Sequence, residues 1–71
     1  MNASPVSVTV NGEVREIPGG LTLDLLVATL SRAPGGLAAA VNETVVPRAR
    51  WARTPLGEGD RVEVLTAVQG G

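Results

Sequence analysis

The chain opens with a strong signal for a β-hairpin, and this signal restricts the fold more than any other feature of the sequence. Val6, Val8 and Val10 alternate with polar residues, which is the period of a strand with one buried face. Asn11-Gly12 follows at once and favours the two-residue type I′ turn that joins antiparallel strands. Residues 13–17 are therefore predicted to pair with the first strand.

One amphipathic helix is predicted after this hairpin. Thr22 suits its N-cap, and Asp24 suits its first turn, where the helix dipole favours a negative charge. Apolar residues then recur at helical spacing, namely Leu23, Leu26, Val27 and Leu30. Arg32 suits the last turn, and Pro34-Gly35-Gly36 is predicted to end the helix.

Three further strands are predicted, over residues 37–41, 44–46 and 61–68, with an Arg-Trp loop after Pro47. In the last strand, the predicted core face carries Val62, Val64, Thr66 and Val68, and the other face carries Glu63, Leu65, Ala67 and Gln69. This order of elements predicts an α+β domain with one helix on one face of a mixed sheet, which is the β-grasp plan. We expect a single domain over residues 1–71 with a flexible tail at about residues 68–71.

The composition argues against self-contained catalysis. The chain has no Cys and no His, so it lacks a thiol nucleophile, a thiolate metal site and the commonest general base. Its carboxylates are scattered and suggest no acid/base pair. We therefore expect no catalytic residue, no metal site and no cofactor bound by this chain.

Charge and hydropathy narrow the partners and the location. A net charge of −1 and a single aromatic residue, Trp51, argue against nucleic-acid binding, although Arg48, Arg50 and Arg53 form a small basic cluster. No apolar run approaches the length of a membrane span, and the first residues lack the pattern of a secretory signal. The expected location is the cytoplasm, with no membrane partner.

The sequence ends in Gly70-Gly71, directly after the last predicted strand. Glycine has no Cβ, so such an end can lie in a narrow channel and offer its carboxylate for chemistry. The alternative is an inert, frayed end, which is common for terminal residues. Leu65 and Ala67 lie next to this tail and are either ordinary surface residues or part of a docking patch.

Nearly the whole chain, from about residue 8 to residue 71, resembles the ThiS family of sulfur carriers. The resemblance in the first half rests on three stretches, Val10-Asn11-Gly12-Glu13, Thr22-Leu23-Asp24-Leu25-Leu26 and Ala40-Val41-Asn42-Glu43. The more specific half contains Val45-Val46-Pro47-Arg48 with Trp51, Gly59-Asp60-Arg61-Val62-Glu63-Val64, and Ala67-Val68-Gln69-Gly70-Gly71. The small subunit of molybdopterin synthase is similar at the Gly-Asp turn and the Gly-Gly end, but not usually at the Val-Pro-Arg stretch.

The resemblance implies a ubiquitin-like β-grasp protein that is a substrate and not an enzyme. It implies that an adenylating, E1-like enzyme uses Mg-ATP to activate the carboxylate of Gly71. A sulfur donor would then form a thiocarboxylate, and thiazole synthase would receive the sulfur for thiamine biosynthesis. Partners would recognise the tail through Val68, Gln69 and Gly70, and the candidate contacts on the body are Leu65, Ala67 and Arg48.

Several alternatives stay open from the sequence. Arg48 either contacts an acidic partner surface or braces its own loop, and Trp51 is expected to close the edge of the core rather than to contact a partner directly. The chain could instead carry sulfur for molybdopterin or another pathway. It could also be a ubiquitin-like modifier joined to lysines through Gly71, or an interaction module with an inert tail.

Overall fold

The computed structural model describes residues 4–30 and 37–66, which form a five-stranded mixed sheet and one α-helix. In chain order the elements are β1 (Pro5–Val10), β2 (Glu13–Pro18), α1 (Leu23–Leu30), β3 (Leu37–Val41), β4 (Thr44–Val46), a 3₁₀ helix (Arg48–Arg53) and β5 (Arg61–Thr66). The strand order is β2-β1-β5-β3-β4. Strands β1 and β5 are parallel and the other neighbours are antiparallel. The predicted α+β class and the mixed sheet are confirmed.

The first hairpin has the predicted turn. Asn11 and Gly12 both adopt positive φ, 52° and 84°, as a type I′ turn requires. Val10 and Glu13 are paired on either side of the turn. Asparagine tolerates this left-handed region and glycine has no Cβ to oppose it, so the local sequence determines the hairpin.

Helix α1 begins at the predicted place and buries the predicted face. The carbonyl of Thr22 accepts the N–H of Leu26 at 3.1 Å, and the Thr22 hydroxyl donates to the Asp24 carboxylate. The N–H of Leu23, which has no partner within the helix, donates to the carbonyl of Thr54 at 2.9 Å. The buried helix residues are Leu23, Leu26 and Val27. The predicted helix end at Arg32 and Pro34-Gly35-Gly36 lies outside the described residues.

Strand β5 lies in the middle of the sheet, and residues 62–65 face the sides that were predicted for them. Val62 is 1% exposed and Val64 packs against the core, whereas Glu63 and Leu65 are exposed. The strand is described as far as Thr66, so its predicted extension to Val68 lies outside the described residues. The last described residues therefore belong to a central strand that is hydrogen-bonded to β3.

The prediction of a loop after Pro47 is wrong, because residues 48–53 form a 3₁₀ helix. The N–H of Arg50 donates to the carbonyl of Pro47 at 2.8 Å, and that of Thr54 donates to the carbonyl of Trp51 at 3.2 Å. Trp51 is 4% exposed and its Nε1 donates to the carbonyl of Val46 at 2.8 Å. A single buried side chain anchors this helix, so the sequence offers no periodicity that would predict it. The predicted role of Trp51 at the core edge is confirmed.

Candidate functional site

Leu65 points away from the core, on the outer face of the sheet. It is 68% exposed, and Val45 on β4 is 72% exposed. On β3, Ala38 is paired with Leu65, and Ala40 is paired with both Val45 and Glu63. Residues that are paired across adjacent strands share one face of a sheet, so these apolar side chains form one surface. We call Leu65, Val45, Ala38 and Ala40 the apolar patch.

The apolar patch surrounds an open depression of about 300 Å³. The alanines of β3 carry only a methyl group each, so the larger side chains of Leu65 and Val45 stand above the strand between them. Helix α1 packs on the opposite face of the sheet through its buried residues. The depression can therefore receive an apolar side chain from another molecule.

Two carboxylates also line the depression and make its rim partly acidic. Both Glu43 and Glu63 are exposed, and Glu43 forms an ion pair with Arg61 at 3.3 Å. An exposed pair of this kind contributes little to stability because water and salt screen it. Together with Glu63, the pair gives the depression a polar border around an apolar centre.

Arg48 lies at the start of the 3₁₀ helix, with its guanidinium group 5.3 Å from the centre of the Trp51 ring. This distance is typical of a cation–π contact. The side chain therefore braces its own segment, which is one of the two roles expected for it. Arg48 is nevertheless exposed, so its guanidinium group stays accessible to a partner.

Two asparagine side chains hold β5 in place. The Oδ1 atom of Asn11 accepts the N–H of Val64 at 2.8 Å, and its Nδ2 atom donates to the carbonyl of Val64 at 3.2 Å. Asn42 acts near the other end of the strand, where its Oδ1 atom accepts the N–H of Arg61 at 3.0 Å. The amide of Asn11 thus replaces the backbone pairing that β1 would supply if it did not turn away into the hairpin.

The predicted tail residues Ala67, Val68, Gln69, Gly70 and Gly71 lie outside the described residues. Of the predicted body contacts, the structure places Leu65 on the apolar patch and Arg48 on the 3₁₀ helix. Within residues 4–30 and 37–66, no group of acidic side chains is arranged to hold a metal ion, and no helix is long and apolar enough to cross a membrane.

Three members of the apolar patch, Val45, Ala38 and Ala40, are not predicted from the sequence. The contacts of Asn11 and Asn42 with β5 are not predicted either. A three-residue strand such as β4 is too short to show which of its two valines faces the core. Alternation of polar and apolar residues along β3 would indicate which face Ala38 and Ala40 occupy. Residues 37–41 are all apolar, so β3 shows no such alternation. The contacts of Asn11 with Val64 join residues 53 positions apart, so no local pattern reports them.

Comparison with known proteins agrees with this architecture. The model of the ThiS family matches residues 8–71. The chain is similar to the sulfur carrier protein ThiS of Escherichia coli (strain K12), with 27% identity over 66 residues that cover 93% of this chain and all of the relative.

A solved structure is also similar to this chain. The crystal structure of the thiamine biosynthesis protein ThiS from Geobacter metallireducens matches with a TM-score of 0.78 and 28% identity, over 93% of this chain and all of that one. This likeness confirms the ubiquitin-like β-grasp prediction. Because the family model spans almost the entire sequence, from the second half of β1 through Gly71, the chain belongs to the ThiS family.

Proposed function

We propose that this protein carries sulfur for thiamine biosynthesis on the carboxylate of Gly71. The observation that carries the proposal is the family match over residues 8–71, which includes Gly70-Gly71. The similar relative from Escherichia coli is named a sulfur carrier protein. Membership in this family makes the chain a carrier and not a catalyst.

The chemistry follows from the properties of a carboxylate. An ionised carboxylate is a poor electrophile, so sulfur cannot displace its oxygen directly. A partner enzyme with Mg-ATP first joins a carboxylate oxygen of Gly71 to the α-phosphate and releases pyrophosphate. A donor of sulfide-level sulfur then attacks the acyl carbon and AMP leaves, so that Gly71 carries a thiocarboxylate whose sulfur passes to thiazole synthase. This chain supplies the acyl group and the surface that partners bind.

The length of the segment after β5 suits delivery into a partner. Gly71 is the fifth residue after Thr66, and an extended chain spans up to about 3.4 Å per residue, or roughly 17 Å in total. That reach allows the carboxylate to enter an active site while the sheet stays outside. The apolar patch includes Leu65, which lies one residue before the end of the described part of β5, so a partner that receives the tail can also cover the patch.

The loading reaction tests this proposal directly. With ATP, the cognate adenylating enzyme and a sulfur source, the intact protein is expected to gain the mass of one sulfur in exchange for one oxygen. Fragmentation in the mass spectrometer should place the gain on Gly71. Failure to gain this mass with a demonstrably active enzyme would reject the proposal. An isopeptide between Gly71 and lysines of other proteins would indicate a modifier instead.

The role of the apolar patch is tested by Leu65→Asp. We expect this substitution to raise the KM for the carrier in adenylation at least about tenfold, because a carboxylate would be buried against an apolar partner surface. The free energy of unfolding should change by less than about 0.5 kcal/mol, as is usual for an exposed position.

Val14→Asp is the matched control for Leu65→Asp, because Val14 is also exposed, at 72%, but lies on the distant edge strand β2. It should leave the KM near the wild-type value. Equal KM values for the two variants and the wild type would show that the apolar patch takes no part in docking.

A further inference from the structure

Two hairpin turns place asparagine side chains against opposite ends of β5. Asn11 and Asn42 each occupy the first position of a two-residue turn, and they adopt nearly the same left-handed φ, 52° and 51°. In each case the backbone N–H also donates to a carbonyl of β5, from Asn11 to Val62 at 2.9 Å and from Asn42 to Arg61 at 2.7 Å. Both asparagines are exposed, so they are closely matched and differ mainly in the end of β5 that they hold.

The side chain of Asn11 holds the end of β5 that leads to Gly71. Strand β1 pairs with β5 as far as Val62, and the chain then turns away at Asn11 into the first hairpin. Peptide groups two residues apart point to the same side of a strand, so the N–H and the carbonyl of Val64 also point toward β1. The amide of Asn11 binds both groups, at 2.8 and 3.2 Å. It therefore extends the attachment of β5 on this side by two residues.

On its other side, the same part of β5 is held by β3. Val64 is paired with Ala39, and Thr66 is paired with Leu37. The side chain of Val64 also packs against the core. Loss of the Asn11 side chain would therefore free one edge of residues 64–66 without detaching the strand, so the sheet should keep its fold.

The reactive end of the chain depends on where β5 ends. Residues 67–71 are joined covalently to Thr66, so every path that they take begins at the end of this strand. Reacting atoms must be held about 3 to 3.5 Å apart, and misplacement by about 1 Å can lower a rate about 100-fold. A contact that fixes the last residues of β5 limits the positions that the carboxylate of Gly71 can occupy.

We propose that Asn11 is a positioning residue for the reaction at Gly71, because its side chain fixes the end of β5 from which the reactive segment starts. This inference rests on the proposed function. Asn11 acts through the backbone of Val64 and not on the reacting atoms. Its effect should appear after docking, in kcat, whereas the apolar patch acts on docking and therefore on KM.

The test compares Asn11→Gly with Asn42→Gly in the full-length chain. Glycine adopts positive φ without strain and Gly-Gly also favours the type I′ turn, so the first variant keeps the turn and loses the contact with Val64. The second variant likewise keeps its φ and loses the contact with the N–H of Arg61, at the far end of β5. Adenylation by the cognate enzyme is followed as pyrophosphate release against carrier concentration, and stability is followed as the midpoint of denaturant unfolding.

Asn11→Gly is expected to lower kcat about fivefold, with a KM within about twofold of the wild type. Asn42→Gly should keep both constants within about twofold of the wild type, although its unfolding midpoint should fall by a similar amount. Amide hydrogen exchange gives a second measurement. The N–H of Val64 should exchange at least about tenfold faster in Asn11→Gly than in the wild type or in Asn42→Gly.

Asn11→Asp replaces Asn11→Gly if the glycine variant does not fold. Asp-Gly also favours the type I′ turn, and the carboxylate can accept the N–H of Val64 but cannot donate to its carbonyl. We expect this variant to lower kcat about threefold.

Three results would overturn the inference. Equal kcat values for the variants at positions 11 and 42 would show that the end of β5 held by Asn11 has no special part in the reaction. A higher KM with an unchanged kcat would indicate a docking defect and not a positioning defect. Unchanged hydrogen exchange at Val64 would show that the side chain of Asn11 does not hold the strand. Failure of the wild type to be adenylated by an active enzyme would differ from all of these and would overturn the proposed function as well.

Discussion

Addition of one alanine after Gly71 is expected to abolish sulfur loading and to leave stability unchanged. The added residue moves the reacting carboxylate one position further along the chain and places a Cβ next to it. A channel shaped for glycine leaves no room for that methyl group, because glycine lets the backbone approach a wall closely. Loading is measured as the mass gained with ATP, adenylating enzyme and a sulfur source. Stability is measured as the midpoint of denaturant unfolding.

A glycine added at the same place is the matched control. It shifts the carboxylate equally but adds no Cβ, so it separates the effect of length from the effect of the side chain. Loss of loading in both variants would indicate that the partner measures the length of the tail. Normal loading of the alanine variant would contradict the role proposed for the Gly71 carboxylate.

Trp51→Ala is expected to lower the free energy of unfolding by about 3 to 5 kcal/mol, the range for truncation of a buried aromatic side chain. The substitution leaves a cavity at the end of the core, removes the hydrogen bond to the carbonyl of Val46 and removes the ring below Arg48. Small domains are stable by only about 5 to 15 kcal/mol. Trp51 is the one tryptophan of the chain, so unfolding should be followed by circular dichroism and not by fluorescence.

Trp51→Phe is the control for this prediction. Phenylalanine retains much of the apolar volume but cannot donate to Val46, and loss of this one hydrogen bond should cost about 1 to 2 kcal/mol. A Trp51→Ala variant as stable as the wild type would mean that the 3₁₀ helix contributes little to the core.

The first hairpin and helix α1 could be predicted because their signals are local. Asn11-Gly12 supplies the two positive φ angles of the turn, and the spacing of Leu23, Leu26 and Val27 determines the buried face of the helix. The side-chain contact of Asn11 with Val64 could not be predicted, because it depends on which strand the fold brings beside the turn. The same residue thus has one role that the sequence reveals and one that it does not.

The candidate site likewise has one residue whose orientation the sequence predicts and one whose orientation it does not. The outward orientation of Leu65 follows from alternation along a six-residue strand. The orientation of Val45 does not, because β4 has three residues and its two valines face opposite sides. The chemistry proposed for Gly71 comes from the glycine pair and from the family, since the described residues end before the tail.

The central position of β5 has a consequence for how the chain assembles. The hairpins β1-β2 and β3-β4 lie on opposite sides of β5 and are joined through it. Isolated two-stranded hairpins are marginally stable in water. During synthesis, therefore, β1 and β3 cannot pair with β5, their shared neighbour, until residues 61–66 have left the ribosome. The strand that precedes the proposed site of chemistry at Gly71 also completes the sheet, so a chain that stops before β5 would leave the inner edges of β1 and β3 unpaired and open to aggregation.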